Sequence, residues 1–179
     1  MKVKVLNTCG INEALLGISL NKLQPFDKML GVADKLAQAK EGSHKKFLRM
    51  ICVWLEVTSP MYWFYEFDTY KVGVTRNSSS IMHKPLEHVK FDNRTEPMMI
   101  EAYKQLLVKY EAGEVDINTI KANTPAGLLY TSVINLNYQV LQTIYKDRKN
   151  HRLDEWRDFC RVLQTLPYSE WITNEKQEK

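Results

Sequence analysis

The run Arg76-Asn77-Ser78-Ser79-Ser80 sets a cation beside three hydroxyls and several backbone N–H groups, the donor set that cradles a phosphate. A second concentration of positive charge, Lys146, Arg148, Lys149, His151 and Arg152, continues into Arg157 and Arg161, which are four apart and share a helix face. Guanidinium forks take phosphate bidentately, so either stretch could hold a phosphate. Each stretch, taken alone, is also what a solvated loop or helix face looks like. Other chemistries find little support. Glu66 and Asp68 are two apart and fall on different helix faces, framing a ligand or a cap rather than forming an acid/base pair. His83 and His88, five apart, do not share a helix face as a metal pair would. Cys9, Cys52 and Cys160 have no sequence-local base, and Cys52 falls in the apolar run Met50 to Leu55, which assigns it to the core. No glycine-rich phosphate loop, dinucleotide fingerprint, G-x-S-x-G elbow, H-E-x-x-H pair or EF-hand loop occurs. These spacings name no catalytic residue and no metal ligand.

The elements that must position the two basic stretches follow from periodicity. Lys2 to Leu6 alternates basic and apolar residues as a half-buried strand does. Ala14, Leu15 and Ile18, then Met29, Val32 and Leu36, recur at helical spacing on either side of Gln24-Pro25, so two short helices are predicted there. Phe47 to Thr58 is dense in β-branched and aromatic residues and reads as a buried strand ending at Ser59-Pro60. Pro60 then suits the first turn of a helix over Met61 to Tyr70, where six of ten residues are aromatic and Trp63, Phe67, Tyr70 and Val74 share a face. Gly73 to Ser80 reads as a polar loop. Leu128, Leu129, Val133, Leu136, Val140, Leu141 and Ile144 step by threes and fours, predicting one long helix from Thr124 to about Lys149, with Thr124 as cap and Pro125 in the first turn. Leu153, Trp156, Phe159, Leu163 and Leu166 predict a second helix stopped by Pro167.

These elements sum to an α+β chain: a small, mostly antiparallel sheet packed with a helical bundle. Residues 1–173 form one domain, and the polar tail 174–179 is expected to be disordered. With 179 residues, 44% hydrophobic and 26% charged, the chain has the composition of an ordinary globular domain and buries about 70% of its unfolded surface without staples. Three widely spaced cysteines without a C-x-x-C pair suit a reducing, cytoplasmic setting. No segment reaches the roughly 20 apolar residues of a membrane span, and the start does not read as a signal peptide. A net charge of +4 and a pI near 8.8 favour anionic ligands but fall short of the balance expected of a nucleic-acid-binding domain.

In chain order, these features resemble the flavin-dependent thymidylate synthases. The family's H-x-S-x-L-E-H segment before an apolar strand is matched at His44 and Leu48 ahead of Ile51 to Val57. Its polar stretch downstream of the R-H-R-x-x-S signature resembles Thr75, Asn77 and Ser80 here, although the R-H-R triplet itself is absent, its places being taken by Thr69, Tyr70 and Lys71 or by Tyr70, Lys71 and Val72. The carboxy-terminal part is similar in Tyr130-Thr131, Asn135-Leu136, Arg148 and the E-x-R string Glu155-Trp156-Arg157. The strings Glu66 to Gly73 and His151 to Trp156 are also similar to those of uncharacterised phage and Gram-positive bacterial proteins. The resemblance implies a thymidylate synthase-complementing-protein-like fold and methylation of deoxyuridine monophosphate by reduced flavin (FAD), with NADPH and methylenetetrahydrofolate as co-substrates. It implies Ser78, Ser80, Arg148 and Arg157 on the nucleotide phosphate, and Tyr70, Lys71, Arg76 and Asn77 near the flavin. It further implies a homotetramer with active sites between subunits. Loss of the triplet leaves open a non-catalytic nucleotide-binding or phage regulatory protein of the same fold.

Overall fold

The computed structural model of the chain describes residues 1–80 and 89–175. His83 and His88 lie outside the described residues. Four antiparallel strands, β1 (Lys2–Cys9), β2 (Cys52–Pro60), β3 (Val74–Ser78) and β4 (Leu129–Asn137), form one sheet in the order β1-β2-β4-β3. Between β1 and β2 run α1 (Ile11–Lys22), a 3-10 turn (Phe26–Lys28), α2 (Met29–Ala37) and a 3-10 stretch (Gly42–Met50). The helix α3 (Met61–Phe67) precedes β3, α4 (Pro97–Glu111) and α5 (Ile117–Ala122) precede β4, and α6 (Tyr138–Arg148), α7 (Asp154–Leu163) and α8 (Glu170–Thr173) complete the chain. The architecture is α+β, as the sequence predicts.

Alternation along the two central strands sets the core. Val53, Leu55 and Val57 of β2 and Ile134 and Leu136 of β4 are buried against the helices, while Trp54 and Glu56 of β2 and Thr131, Val133 and Asn135 of β4 face away. Over this inner face α3 and α7 deliver an aromatic stack. The Trp63 ring centroid lies 5.0 Å from that of Phe67, 4.8 Å from that of Trp156 and 5.5 Å from that of Phe159. A smaller apolar cluster of Tyr103, Leu107 and Ile120 belongs to α4 and α5.

Several of the predicted boundaries move, among them the end of α3, at Phe67 and not Tyr70, and that of α7, at Leu163 and not Leu166. The region 124–149 is not one helix: β4 occupies Leu129–Asn137, and α6 starts only at Tyr138, where the Asn137 side chain accepts the Val140 N–H as an N-cap. Thr124, predicted to cap a helix start, instead donates its hydroxyl to the Ile120 carbonyl at the end of α5. Gly73 to Ser80 is not all loop, because Val74–Ser78 pairs with Leu136 back to Ser132 as the edge strand β3. Phe47 to Met50 belongs to the 3-10 stretch, and the strand predicted over Phe47 to Thr58 begins at Cys52. Pro60 does precede a helix as expected, and the first N–H groups of α3 are satisfied from outside it, Met61 by the Leu128 carbonyl and Tyr62 by that of Ala126.

The β1 ladder contains one irregularity. Val5 faces Leu55 and Asn7 faces Trp54, so Leu6 is an extra residue with no opposite number on β2. Beyond it, Gly10 adopts φ +91°, and a Cβ there would overlap the Met50 carbonyl oxygen. Gly113 also has positive φ but open space around it. Gly113→Ala is therefore expected to cost about 1 to 2 kcal/mol, the penalty of a left-handed backbone alone. Gly10→Ala adds a backbone clash and is expected to cost at least about twice as much. Urea unfolding of the two variants measures the difference.

Candidate functional site

The polar side chains of the aromatic stack's rim meet where α3, the end of α6 and the start of α7 converge. Arg148 donates from Nη1 to Glu66 Oε2 at 2.9 Å and from Nε to the Tyr70 hydroxyl at 2.9 Å. Its guanidinium carbon stands 4.6 Å from the Trp156 ring centroid and 5.6 Å from that of Tyr70. The Trp156 Nε1–H donates to the same Glu66 oxygen at 2.8 Å. His151 closes the group: its Nδ1 accepts the Leu153 N–H at 3.2 Å, and its Nε2 lies 3.0 Å from Arg148 Nη1 and 3.7 Å from Glu66 Oε2. Burial pushes the Tyr70 hydroxyl above its ordinary pKa, and the Arg148 guanidinium works in the opposite direction.

A second cluster adjoins the first through α7. Glu155 is buried; one carboxylate oxygen accepts the Tyr62 hydroxyl at 2.6 Å and is also bound by Arg94 Nη1. Arg94 reaches Tyr62 at 3.0 Å and, through Nη2, Asp154 at 2.8 Å. Asp154 is shared with Arg157, which also donates to the backbone carbonyls of His151 at 2.5 Å and Arg152 at 3.1 Å. Burial raises the Tyr62 hydroxyl to about 12, with the Glu155 carboxylate adding to the effect. Burial likewise acts to raise the Glu155 carboxyl, but Tyr62, its own backbone N–H and Arg94 together outweigh burial and hold it below the ordinary range.

The third feature flanks the edge strand β3. Phe67, Asp68, Tyr70, Lys71, Val74 and Arg76 line a pocket of about 250 Å³. Arg76 lies across the Phe64 ring at 4.9 Å and donates to Asp68 at 2.8 Å and, more weakly, to Ser132 at 3.4 Å. Two larger clefts lie elsewhere. One of about 390 Å³ is walled by α1 and the 3-10 stretch, with Lys22, His44 and Lys46 at its rim over Ile18, Phe47 and Met50. The other, of about 710 Å³, lies at the start of β1 and β4 and includes Lys2, Thr58, Ser79, Lys90, Asp92 and Thr131.

The eight residues expected at the site divide into groups. Tyr70, Lys71 and Arg76 share the small pocket, whereas Asn77, one residue further along β3, points to the opposite face of the sheet with Val133 as its cross-strand partner. Arg148 and Arg157 come together around His151. Ser78 ends β3 opposite Ser132, and no hydrogen bond among the described residues joins it to Arg148 or Arg157. Ser80 follows, half-buried; its neighbour Ser79 donates its N–H to the Thr131 carbonyl at 2.8 Å. Sequence reasoning passed over Tyr62, Arg94 and Trp156 as functional groups, and took His151 only as part of a basic run. Arg94 carries no signal beyond its charge, but the E-x-R string Glu155-Trp156-Arg157 brackets the position that contacts Arg148.

The arrangement is a chain of cations each held by an acid: Arg148 by Glu66, Arg76 by Asp68, and Arg94 and Arg157 by Asp154. A phosphate entering here would compete with those carboxylates. Among the described residues no helix is long and apolar enough to cross a membrane.

The fold is that of a flavin-dependent thymidylate synthase. Over 98% of this chain and 98% of theirs, two crystal structures are similar to it: flavin-dependent thymidylate synthase ThyX from Helicobacter pylori complexed with FAD and dUMP, with a TM-score of 0.79 and 14% identity, and ThyX from the same organism with FAD and dUMP at 2.31 Å resolution, with a TM-score of 0.79 and 15% identity. No family model and no curated protein sequence matches the chain.

Because the Glu155 carboxyl is depressed in the folded chain, its contribution to stability is complete above the ordinary carboxylate pKa of about 4.3 and is lost as pH falls through the lower folded value. Arg94→Met removes one counterweight to burial, so the carboxyl should rise and acid unfolding should begin at higher pH. The half-exposed position of Arg94 limits the cost at neutral pH to about 1 to 3 kcal/mol. Tryptophan fluorescence across an acid titration of the variant and the wild type checks both expectations.

Proposed function

We propose that the chain is a divergent thymidylate-synthase-like protein that binds deoxyuridine monophosphate and, with reduced flavin and methylenetetrahydrofolate, methylates its uracil ring. The reading rests on one observation: the fold extends over the full length of proteins whose structures hold FAD and dUMP. In this reading Ser78, Ser80, Arg148 and Arg157 take the phosphate, while Tyr70, Lys71, Arg76 and Asn77 lie near the flavin. When bound, the flavin supplies the reducing equivalents, with NADPH restoring them; the chain's residues bind, orient and neutralise.

The small pocket supports part of this assignment. Tyr70 offers a ring face and Lys71 an exposed cation, and Arg76 stands beside them. At about 250 Å³ the pocket is below the roughly 300 to 1,000 Å³ that ligands of drug size occupy, so one chain does not enclose a dinucleotide. A second copy of the chain would have to complete the flavin site, which accords with a homotetramer.

The ion pairs favour a second reading. Asp68 already occupies Arg76, the guanidinium of the flavin-side pocket, so that cation is neutralised within the chain. A non-catalytic nucleotide-binding protein of the same fold, including a phage regulatory protein, needs no flavin and tolerates that closure.

Thermal unfolding with added dUMP and the absorption spectrum after incubation with FAD separate the readings. At one hundred times its Kd a nucleotide stabilises the folded chain by about 2.7 kcal/mol, or roughly 5 to 10 °C in Tm for a domain of this size. A dUMP shift together with retained flavin absorbance supports the enzyme. A dUMP shift with colourless protein leaves the binding module, no shift with dUMP removes the enzyme, and no shift with any nucleotide removes both.

A further inference from the structure

Cys9 is the last residue of β1 and Cys52 the first of β2, and the antiparallel register sets them directly opposite each other. Opposed residues in such a ladder project from the same face, with Cα atoms about 4.5 or 5.5 Å apart, inside the roughly 4.4 to 6.8 Å that a disulfide spans. The face is the one turned away from the core, shared with Trp54 and Glu56. Cys52 is therefore not the core residue that its apolar neighbours predict; it is half-buried, and Cys9 is exposed. Both thiols are free.

The backbone at this corner is pinned. Gly10, immediately after Cys9, approaches the Met50 carbonyl more closely than any side chain allows, and the Ile51 carbonyl accepts the Tyr138 N–H at 3.0 Å. The two cysteines thus stand opposite each other on segments that are held together by the surrounding backbone. Cys160 differs in kind: it sits in the core, and burial raises its thiol to about 12.

We propose that Cys9 and Cys52 are a reversible cross-strand dithiol couple, oxidised by exchange with a small-molecule disulfide. The exposed Cys9 thiolate attacks one sulfur of the oxidant, forming a mixed disulfide and releasing one small thiol. Cys52 then loses its proton and attacks the Cys9 sulfur, forming the Cys9–Cys52 bond and expelling the second small thiol. Two protein thiols are oxidised and one oxidant disulfide is reduced to two thiols, so electrons and protons balance. Burial first, and the neighbouring Cys9 second, push the Cys52 thiol up, which suits it to the second step rather than the first. The bond closes the segment carrying α1, α2 and the 3-10 stretch. Ala14, Gly17 and Met50, which wall the 390 Å³ cleft, lie within the closed loop.

The test treats the folded, full-length protein with bis(2-hydroxyethyl) disulfide and follows intact mass and peptide maps. The expected product has lost two hydrogens, joins the Cys9 peptide to the Cys52 peptide, and reverts with dithiothreitol. Cys52→Ser should stop at the mixed disulfide on Cys9, and Cys9→Ser should react roughly tenfold more slowly at the remaining site. Persistence of the mixed disulfide in the wild type, cross-linking to Cys160 or to a second chain, or unreacted thiols in the folded protein would overturn the proposal. None of these readouts depends on binding a nucleotide or a flavin.

Discussion

A guanidinium withdrawn from water must be given a carboxylate, and in this chain Arg148 receives Glu66 while lying against the Trp156 ring. The three side chains come from α6, α3 and α7, so one cation fixes how the helices over the sheet meet. Glu66 is bound twice, by Arg148 and by the indole N–H of Trp156, and Trp156 in turn carries the aromatic stack with Trp63, Phe67 and Phe159. Loosening the ion pair would therefore expose an unpaired charge at the edge of the largest block of buried apolar surface. In the proposed reading this constraint also bears on function, since the cation assigned to the phosphate is the one on which the packing depends.

Charge in the chain is consequently of two kinds. The arginines around α7 are matched by carboxylates and define geometry, whereas lysines such as Lys22 and Lys46 stand at the rims of open clefts. The net positive balance draws anions towards the surface, but recognition by the guanidinium forks requires an acid side chain to give way. A ligand that displaced Glu66 or Asp68 would be selected for charge and shape together.

Legibility in the sequence followed the strength of the periodic signal. α2 and α7 were readable because their apolar residues face one side; α1 was readable from the spacing of Ala14, Leu15 and Ile18 although Leu16 and Leu20 stay exposed, and Pro60 marked the entry to α3. β4 was not, because it places Ser132 inside and Val133 outside, reversing the polarity on which alternation depends and leaving the apolar residues at helix-like steps. β3 is polar on both faces and is a strand only because β4 supplies partners, which no local pattern reveals. The charged residues of the site were visible as charges; their pairing was not, since Arg94 meets Glu155 across 61 positions of chain and Arg148 meets Glu66 across 82. Cys52 was misplaced for a related reason: an apolar neighbourhood in sequence does not say which face of a strand a residue takes.

The unpaired Leu6 in β1 has a consequence for how this edge tolerates insertions and deletions. With two residues of β1 spanning one step of β2, the segments before and after Leu6 keep their own partners independently. Excision of that leucine would leave Val5 against Leu55 and Asn7 against Trp54, merely making the ladder continuous. The amino-terminal strand can thus change length by one residue at this point without inverting any downstream side chain, a slack that the uninterrupted pairing of β2 with β4 does not possess.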